Sequence, residues 1–502
     1  MIRIYLQVLL AIICSITINA QLAIAKNIEI NIYSINDFHG ALRTRQDAPG
    51  IAFLAGAIKD VMSTSSNNVL VAAGDLFGTT VDAKDTGGLS TVLAFNELGV
   101  ECIAVGNHEF DYSRKLLNKQ QRIAEFPFLA ANIKAANGNN MFKAYKIIEK
   151  DGIKIAFIGM ITQETLLTAT KNNLQGLEFL NPQDILPQYI SEVRAQGADI
   201  VVLLAHIGSR QNKSGVISDE VAVVLANIQG LDSAISAHTH EAVNGLYNNI
   251  AVVQAKCYGQ LLSHIKISYS AKQKSIVSID SKLINVADKR SFIPDTPMNS
   301  FIQPYLQAAD EKYGSVLAIN EQVLTNNRFQ SSTLANCFVD IILQATNADI
   351  ALLNAGGVRK DYLPAGSFTL RNLIDIFPFD NSVVVSDVRG ADIIAALNYG
   401  ITNYKYGHLR FSGLQVVYNP SLPTGNQVVK VRLSDGSSLN PDKYYKVATV
   451  DFLLDGGDGF SMFKAAKNKE VLGQLSELLA VEIKKNGRIS YGADIRLLVG
   501  QE

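Results

Sequence analysis

The segment Gly106-Asn107-His108-Glu109-Phe110-Asp111 carries polar side chains directly after an apolar run that predicts a buried strand. Asn107 offers a neutral oxygen and His108 a ring nitrogen. Asp111 follows His108 by three residues, so its carboxylate could orient the imidazole. Taken alone, such a match is also explained by a polar loop that caps a helix. Its meaning therefore depends on whether the arrangement recurs along the chain.

Similar groups do recur where other predicted apolar strands end. Five of the seven histidines of the chain lie at such strand exits. The polar residues at these exits are Asp37, His39, Asp75, Asn107, His108, His206, His238 and His240. Histidines scattered over core edges and the surface would not show this pattern. Because α/β sheets place their ligand sites at the carboxyl ends of strands, we expect these side chains to converge on one site.

Aspartate, asparagine and neutral imidazole are hard-to-borderline ligands, which suit Zn²⁺, Mn²⁺, Co²⁺ or iron. Asp75 could bridge two ions, since a carboxylate has two oxygens. A pair of metals about 3.5–4 Å apart is a recurrent device for in-line displacement at phosphorus. One ion lowers the pKa of water, and both neutralise charge on the phosphoryl oxygens. The residue types therefore predict a metal centre for phosphoryl chemistry.

The elements that must position these residues alternate along the first half of the chain. Alternation of apolar and polar residues predicts a strand at residues 29–35, and apolar runs predict strands at 69–73, 102–105, 154–161, 200–205 and 234–237. Helical spacing predicts helices at 51–61 and 89–98. Strands that alternate with helices are typical of α/β layers. The predicted fold class is therefore α/β.

Composition limits the function further. The chain has 502 residues, of which 48% are hydrophobic and 18% are charged, and its formal net charge is -1. At about 100–200 residues per domain, two large domains or three small ones are expected. Without a basic excess, a nucleic-acid polymer is not expected as a ligand.

The first 25 residues are predicted to be a signal peptide. Arg3 precedes an apolar stretch over residues 4–18, and Ala23-Ile24-Ala25 is a cleavage site before Lys26. The stretch is shorter than the ~20 residues that a membrane span needs, and the C-terminus lacks the apolar tail of a lipid-anchor signal. We therefore expect a secreted chain with no stable membrane anchor, periplasmic if the source is a Gram-negative bacterium and extracellular otherwise.

Three cysteines, Cys102, Cys257 and Cys337, remain after the predicted cleavage. They cannot form a disulfide framework, and no C-x-x-C spacing is present. Thiol chemistry and cysteine–zinc sites are therefore poor hypotheses for this chain.

Five short motifs together resemble those of the calcineurin-like metallophosphoesterases, namely Asp37-Phe38-His39, Gly74-Asp75, Gly106-Asn107-His108-Glu109, His206 and His238-Thr239-His240. The resemblance implies a four-layer αββα sandwich and two divalent metal ions, with zinc, manganese or cobalt expected. It implies that one ion is held by Asp37, His39, Asp75 and His240, and the other by Asp75, Asn107, His206 and His238. It further implies that His108 stabilises the transition state and that Asp111 orients it.

The second half reads as a smaller α/β domain. A strand at residues 348–353 leads into Asn354-Ala355-Gly356-Gly357-Val358-Arg359, where glycines let a ligand approach the backbone and the arginine could bind a phosphate or carboxylate. Phe379 and Phe452 lie close to turn residues. Single phenylalanines are more often core residues, but two of them with a nearby carboxylate would suit the base and sugar of a nucleoside.

These segments resemble the nucleotide-binding motifs of the 5′-nucleotidase C-terminal domain. The resemblance implies that Phe379 and Phe452 sandwich the base and that Asp458 binds the ribose. The remaining substrate-binding candidates are Arg328, Asn354, Gly357, Arg359 and Asn381. Two positions depart from the family pattern, because Ala355 replaces the first glycine of the usual Gly-Gly-Gly and Leu324 stands where some bacterial members have an arginine.

We predict a signal peptide at residues 1–25, a metallophosphoesterase domain at 26–293, a linker or hinge helix at 294–316, and a nucleotide-binding domain at 317–502. The expected reaction is hydrolysis of nucleoside 5′-monophosphates, with nucleoside di- or triphosphates, UDP-sugars or NAD as further substrates. One alternative is a 2′,3′-cyclic-nucleotide 2′-phosphodiesterase with 3′-nucleotidase activity, which the first motif disfavours. Another is a nucleotide-binding surface protein that has lost catalysis, which the complete ligand set disfavours.

Overall fold

The computed structural model describes residues 27–46, 48–78, 80–288, 291–492 and 495–500. The predicted signal peptide at residues 1–25 lies outside these ranges. Within them, no helix is both long enough and apolar enough to cross a lipid bilayer.

Two six-stranded sheets form the framework of the first half. In chain order its strands are β1 (Ile28–Ile35), β2 (Asn68–Ala72), β3 (Cys102–Ala104), β4 (Phe128–Leu129), β5 (Ile133–Ala135), β6 (Tyr145–Lys150), β7 (Ile153–Ile161), β8 (Leu177–Phe179), β9 (Ile200–Gly208), β10 (Arg210–Gln211), β11 (Ile217–Ser218), β12 (Ser233–Ala237), β13 (Ala242–Tyr247), β14 (Ile250–Ala255), β15 (Leu261–Ser270) and β16 (Ser275–Asn285). The first sheet has the order β16-β15-β1-β2-β3-β4 and the second the order β13-β14-β12-β9-β7-β6. The central strands β1, β2 and β3 run parallel, as do β7, β9, β12 and β14. Their carboxyl ends therefore meet at one edge of each sheet.

The side chains of β1 show how the sequence builds the layers. Ile30 and Ile32 pack into the core between the two sheets, whereas Tyr33 and Ile35 pack against helices on the outer face of the first sheet. This alternation follows from the two-residue period of a strand. Because both faces are covered, the central parallel strands are almost continuously apolar.

Helices cover the outer faces of both sheets. In chain order the helices of the first half are α1 (Ile51–Met62), α2 (Val81–Lys84), α3 (Leu89–Glu97), α4 (Arg114–Ile123), α5 (Thr165–Thr168), α6 (Lys171–Leu174), α7 (Pro182–Ala195) and α8 (Glu220–Leu225). Side chains from α1 and α3 share a core with the first sheet, and side chains from α7 and α8 share one with the second. The predicted four-layer αββα sandwich is therefore confirmed.

The second half is a smaller α/β unit with its own core. Its strands are β17 (Val316–Asn320), β18 (Leu324–Thr325), β19 (Ile350–Leu353), β20 (Tyr362–Leu363), β21 (Gly366–Thr369), β22 (Ser382–Arg389), β23 (Arg410–Ser412), β24 (Leu414–Tyr418), β25 (Val428–Leu433), β26 (Tyr444–Val450), β27 (Lys467–Gln474), β28 (Arg488–Ile489) and β29 (Leu497–Val499). Its helices, numbered after the linker helix α9 (Thr296–Tyr313), are α10 (Thr333–Thr346), α11 (Leu370–Ile376), α12 (Gly390–Thr402), α13 (Asp451–Leu454) and α14 (Leu475–Asn486). The main sheet has the order β23-β19-β26-β22-β27.

The linker helix α9 lies within the predicted linker at 294–316 and has 18 residues. Its buried face consists of Met298, Ile302, Leu306, Ala309 and Tyr313. Ala308 is exposed, and Phe301 and Tyr305 are only half-buried. Its first three buried residues join the core of the first half. Ala309 and Tyr313 pack instead with Val81 of the first half and Ile374 of the second, so the end of the helix contacts both halves.

Candidate functional site

The loops that leave β1 and β2 continue side by side beyond the strands. The Asp37 N–H donates to the Gly74 carbonyl at 3.0 Å, and the His39 N–H donates to the Asp75 carbonyl at 2.9 Å. Asp37, His39 and Asp75 have φ values of 49°, 51° and 53°, and His238 and His240, which follow β12, have values of 76° and 59°. Residues other than glycine rarely adopt a positive φ, and such backbone strain concentrates at functional sites.

Glycines allow the loops after β2 and β3 to approach each other closely. A Cβ on Gly74 would lie 2.8 Å from the Gly106 nitrogen, and one on Gly106 would lie 2.2 Å from Asp75 Oδ1. The buried Glu109 carboxylate fixes this contact, since it accepts hydrogen bonds from the backbone N–H groups of Gly106, Asp75 and Leu76 at 2.6, 2.9 and 2.8 Å. Side chains from two strand exits are thereby held against each other.

One cluster of donor atoms consists of Asp37, His39 and His240, whose candidate ligand atoms all lie within 4.8 Å of one another. The Nε2 atoms of His39 and His240 are 2.9 Å apart, and His240 Nε2 is 3.5 Å from Asp37 Oδ1. Burial, together with the neighbouring His240 and His108, lowers the pKa of His39 well below its ordinary value. His39 is therefore a neutral imidazole, the form that binds a metal.

A second cluster consists of Asp75, His206 and His238, again within 4.8 Å. His206 Nε2 lies 3.1 Å from Asp75 Oδ2 and 3.2 Å from Asn107 Oδ1, and His238 Nδ1 lies 3.1 Å from Asn107 Oδ1. His39 Nε2 is 4.0 Å from Asp75 Oδ2. Asp75 is thus the residue between the two clusters. His206 lies inside β9, one position after the predicted strand end, because β9 extends to Gly208.

The donor atoms around His206 fit a cation. Its Nδ1–H donates to the Ala73 carbonyl at 2.9 Å, so the neutral ring directs the Nε2 lone pair at the Asp75 carboxylate. The Nε2 lone pair of His206 and the Oδ2 atom of Asp75 are both acceptors and lie 3.1 Å apart, so they need a positive charge between them. Burial opposes a proton there, but Asp75 raises the pKa of His206 to about 10. A divalent ion can replace that proton, because metal binding to histidine displaces it.

His108 differs from the other histidines because its Nδ1 faces a carboxylate at the cavity wall. His108 Nδ1 donates to Asp111 Oδ2 at 2.7 Å, while His108 Nε2 is 4.0 Å from Asp75 Oδ2. Burial lowers the pKa of His108, but Asp111 and Asp75 outweigh it, and the pKa is raised. The ring is therefore suited to donate a proton or a hydrogen bond toward a negatively charged group.

Residues of both halves line a cavity of ≈ 220 Å³. The sequence-predicted residues on its wall are Asp75, Asn107, His108, Asp111, His238, His240, Arg328, Asn354, Arg359, Phe379, Asn381, Phe452 and Asp458. Asp37, His39 and His206 are fully buried beside it. Gly357 lies behind the wall, where a Cβ would come 2.9 Å from Asn354 Oδ1.

The second half contributes charge and aromatic surface to the cavity. The Arg359 guanidinium lies 5.8 Å from the ring centre of Phe379, and that ring stacks on His108 with centroids 5.9 Å apart. The Phe452 ring lies against Gly457, where a Cβ would come 2.4 Å from it. Asn354 donates to Asp458 Oδ2 at 2.6 Å, and burial raises the pKa of Asp458 to about 6. Aromatic, acidic and basic groups thus face the histidine clusters.

Sequence reasoning missed several residues that complete the site. Glu164 bonds His238, and Tyr406 and Lys405 of the second half bond Glu164. Arg210 also lines the cavity. None of these lies in a motif that the sequence singled out. The only available signal was the position of Glu164, which follows a predicted apolar strand as the other site residues do.

Two family models match the chain. The model described as calcineurin-like phosphoesterase matches residues 30–242, and the model described as 5′-nucleotidase, C-terminal domain, matches residues 311–465. The matched ranges contain all of the clustered histidines in the first case and all of the predicted substrate-binding residues in the second.

Relatives and solved structures agree with these matches. The chain is 25% identical to the endonuclease YhcR of Bacillus subtilis over 86% of its own length but spans only 38% of that protein. It is 26% identical to a 5′-nucleotidase of Vibrio cholerae, with 87% of this chain and 86% of the relative covered. A 5′-nucleotidase precursor from Thermus thermophilus has the same fold, with a TM-score of 0.83, 23% identity, and coverage of 95% of this chain and 100% of that one.

Proposed function

Because the chain belongs to the 5′-nucleotidase family, with a calcineurin-like phosphoesterase domain followed by a 5′-nucleotidase C-terminal domain, we propose that it hydrolyses nucleoside 5′-monophosphates to nucleoside and phosphate. The observation that supports this most strongly is the cavity of ≈ 220 Å³ that residues of both halves line. One side of it carries two clusters of metal-binding side chains, and the other carries arginines and two phenylalanines.

In this proposal the two clusters hold two divalent ions, with zinc, manganese or cobalt expected. One site consists of Asp37, His39, Asp75 and His240, and the other of Asp75, Asn107, His206 and His238. The convergence of carboxylate and imidazole atoms within 4.8 Å supports both assignments. When bound, such ions supply a water of lowered pKa and neutralise charge on phosphoryl oxygens.

The side chains of the protein supply the rest of the proposed mechanism. His108, held by Asp111, donates toward the phosphoryl group, and its raised pKa favours the protonated ring. Arg359 of the second half is close enough that its charge lowers the pKa of both His39 and His108. A phosphate bound between these groups would be contacted from both domains.

The nucleoside end of the substrate is assigned to the second domain. Phe379 and Phe452 would stack on the base, and Asp458 would accept hydrogen bonds from the ribose hydroxyls. Asn354 already orients the Asp458 carboxylate at 2.6 Å. Arg328, Asn381 and the backbone near Gly357 complete the binding surface. Nucleoside di- or triphosphates, UDP-sugars and NAD are further proposed substrates.

A phosphate-release assay tests the reaction class. The purified protein is stripped of metal, reloaded with Mn²⁺, Co²⁺ or Zn²⁺, and offered AMP, 3′-AMP, 2′,3′-cyclic AMP, ADP, UDP-glucose and NAD. We expect metal-dependent release of phosphate from AMP. Preference for 3′-AMP and the cyclic nucleotide would instead identify the cyclic phosphodiesterase alternative. Binding of AMP without turnover under any metal would identify a catalytically inactive binding protein.

A variant pair tests the metal centre. His206→Ala should lose one ion and nearly all turnover, and Asp75→Ala should be as severe because one carboxylate serves both clusters. His264→Ala is the matched control, since His264 stacks on Tyr33 outside the cavity. Metal content by elemental analysis, turnover and thermal unfolding are compared. If the parent protein keeps its activity after exhaustive chelation, the metal hypothesis is wrong.

Secretion is a separate part of the proposal and rests on the sequence of the first 25 residues. Expression of the full chain in a Gram-negative host, followed by N-terminal sequencing of the periplasmic fraction, tests it. We expect a mature N-terminus at or near Lys26. An uncleaved chain retained in the cytoplasm would contradict the prediction.

A further inference from the structure

One acidic side chain connects the second cluster of candidate ligands, which contains Asp75, His206 and His238, to the opposite domain. Glu164 follows β7 in the first domain. Its Oε2 lies 3.1 Å from His238 Nε2. Its Oε1 accepts hydrogen bonds from the Tyr406 hydroxyl at 2.9 Å and from Lys405 Nζ at 2.5 Å, and both donors belong to the second domain. The carboxylate is thus shared between a candidate metal ligand and two groups across the domain interface.

The bond to His238 fixes which of its ring nitrogens faces the metal cluster. A carboxylate is only an acceptor, so the proton must reside on Nε2. The lone pair of the neutral ring is then on Nδ1, which faces Asn107 Oδ1 at 3.1 Å. Carboxylates commonly orient metal-bound histidines in this way, and removal of such a partner typically costs about 10–100-fold in metal affinity. Glu164 has the geometry of this kind of partner.

The other end of the contact belongs to a loop tied to the nucleotide side of the cavity. Tyr406 lies in the turn after α12, where its N–H donates to Asn403 Oδ1 at 3.0 Å. Two residues later the His408 N–H donates to the Arg328 carbonyl at 2.8 Å. Arg328 lines the same cavity as the candidate base-binding residues. The position of Tyr406 is therefore coupled through short bonds to a residue proposed to hold the nucleotide.

We propose that Glu164 is a positioning residue that holds His238 in the metal-binding orientation, and that Tyr406 and Lys405 hold Glu164 only while the two domains are closed. Domain closure then tightens retention of the ion bound by His238. The inference rests on the proposed function, since it needs a metal at the second cluster. It goes further by making metal retention depend on the second domain, which supplies none of the metal ligands.

Thermodynamic linkage gives this coupling between domain closure and metal retention a measurable consequence. If closure strengthens metal binding, metal binding must favour closure by the same factor. Once the domains open, Glu164 loses two of its three partners and is left with His238 alone. The ion should therefore be released faster from the open form than from the closed form. A simple surface ion pair would produce no such difference.

The experiment compares Zn²⁺ release in a closed and an open form of the same protein. Lys84 and Asp380 form an ion pair across the domain interface at 2.7 Å, so Lys84→Cys combined with Asp380→Cys allows a short thiol cross-linker to hold the domains closed. The three native cysteines that the structure describes are buried and should not react. Zn²⁺ release into excess chelator is followed with a colorimetric indicator, before and after cross-linking, so no nucleotide that could bind the metal is needed.

Four variants are compared in this double-cysteine background. Tyr406→Phe with Lys405→Met removes both donors across the interface but leaves every proposed metal ligand in place. Glu164→Ala removes the carboxylate, and Glu164→Gln keeps an acceptor without its charge. Tyr404→Phe is the matched control, because Tyr404 lies on the same loop and is 87% exposed.

We expect cross-linking to slow release in the parent and in Tyr404→Phe, and to slow it much less in the Tyr406→Phe, Lys405→Met variant. Shielding of the cleft by the cross-linker is the same in all of these proteins. Glu164→Ala should bind Zn²⁺ about 10–100-fold more weakly, with partial recovery in Glu164→Gln.

Equal slowing in the parent and the Tyr406→Phe, Lys405→Met variant would overturn the inference while leaving the proposed function intact. A parent that binds no metal at all would overturn the proposed function itself, and the inference with it.

Discussion

The histidines of the site differ in what their second ring nitrogen contacts. His206 donates to a backbone carbonyl and His238 to Glu164, so each directs its other nitrogen into a cluster of oxygens. His108 donates to Asp111, and its Nε2 lies 4.0 Å from Asp75 Oδ2. That is the longest approach among the Asp75–histidine contacts, equalled by His39. Distance alone does not separate the two, since His39, Asp75 and His108 also lie within 4.8 Å of one another. The proposed role of His108 in stabilising charge rests instead on its bond to Asp111 and its place on the cavity wall.

His108→Asn tests this division of roles. Without the imidazole, the protein should lose a donor to the phosphoryl group but keep both ligand clusters. We expect metal content to be unchanged and kcat to fall by about 10²–10⁴-fold. Asp111→Asn, which keeps the ring but removes the orienting charge, should show a smaller loss of kcat. If His108→Asn loses metal stoichiometrically, His108 is a ligand and the assignment is wrong.

Residue types and spacing were enough to identify most of the side chains on the cavity wall, because each followed a recognisable apolar strand or lay in a family motif. Glu164 and Tyr406 could not be found in this way. Their importance comes from a contact between residues 242 positions apart in the chain, joined by a hydrogen bond of 2.9 Å. Nothing in the local sequence of either residue encodes that contact.

At the level of elements, the site is a set of strand exits held in unfavourable backbone conformations. Asp37, Asp75 and His238 all have positive φ, and the Glu109 carboxylate fixes the loops after β2 and β3. The sequence predicted the strands because their apolar runs are long and covered on both faces. It missed the extension of β9 through His206, since the strand continues past the end of the apolar run that defined it.

The aromatic residues that follow β26 and α11 give a prediction at the same scale. Phe452 lies in the short helix α13 that follows β26, Phe379 lies in the segment after α11, and both line the cavity. If they stack on the base, Phe452→Ala or Phe379→Ala should raise KM for AMP far more than for p-nitrophenyl phosphate, which has no base. Each contact is worth about 1–3 kcal/mol.

Phe329→Ala is the matched control for both changes. Phe329 is partly exposed in the same domain and is not part of the cavity wall. Its loss should alter neither KM appreciably. Steady-state kinetics on the two substrates separate the outcomes. Equal effects of Phe452→Ala on AMP and p-nitrophenyl phosphate would argue that the ring has a structural role.

For the whole molecule, the decisive feature is that the first part of the linker helix α9 belongs to the core of the first domain, whereas Ala309 and Tyr313 near its end pack with Val81 and Ile374. Met298, Ile302 and Leu306 pack with that core, whereas β17 begins the second domain at Val316. The sequence located a helix and a boundary but could not show which domain the helix packs on, because that depends on tertiary contacts. We therefore propose that the hinge, predicted from the sequence within the linker at 294–316, lies in the segment around Gly314.

An ion network crosses the interface near this segment. The buried Asp82 of the first domain accepts from Arg371 of the second at 2.9 Å, and Arg371 also bonds Asp310 of the linker helix at 2.9 Å. Arg43 bonds the same two carboxylates at 3.3 and 3.0 Å. A network centred on a buried carboxylate can remain intact near a pivot. Lys84, two residues after Asp82 in α2, adds its contact with Asp380 to the same side of the interface.

The last prediction concerns the need for relative motion of the domains. Metal-binding candidates lie before Leu261 and base-recognition candidates lie after position 327, so the proposed function requires a substrate held between the two domains, in the cavity that both line. Interfaces of this kind usually permit relative motion, with hinges at a few element-terminal residues.

Holding the Lys84→Cys, Asp380→Cys protein closed with a cleavable cross-linker should abolish AMP turnover, because neither substrate entry nor product release can occur. Cleavage of the linker should restore turnover, and each single-cysteine variant treated in the same way should remain active. Turnover of AMP at the parent rate by the cross-linked protein would mean that the domains do not need to move.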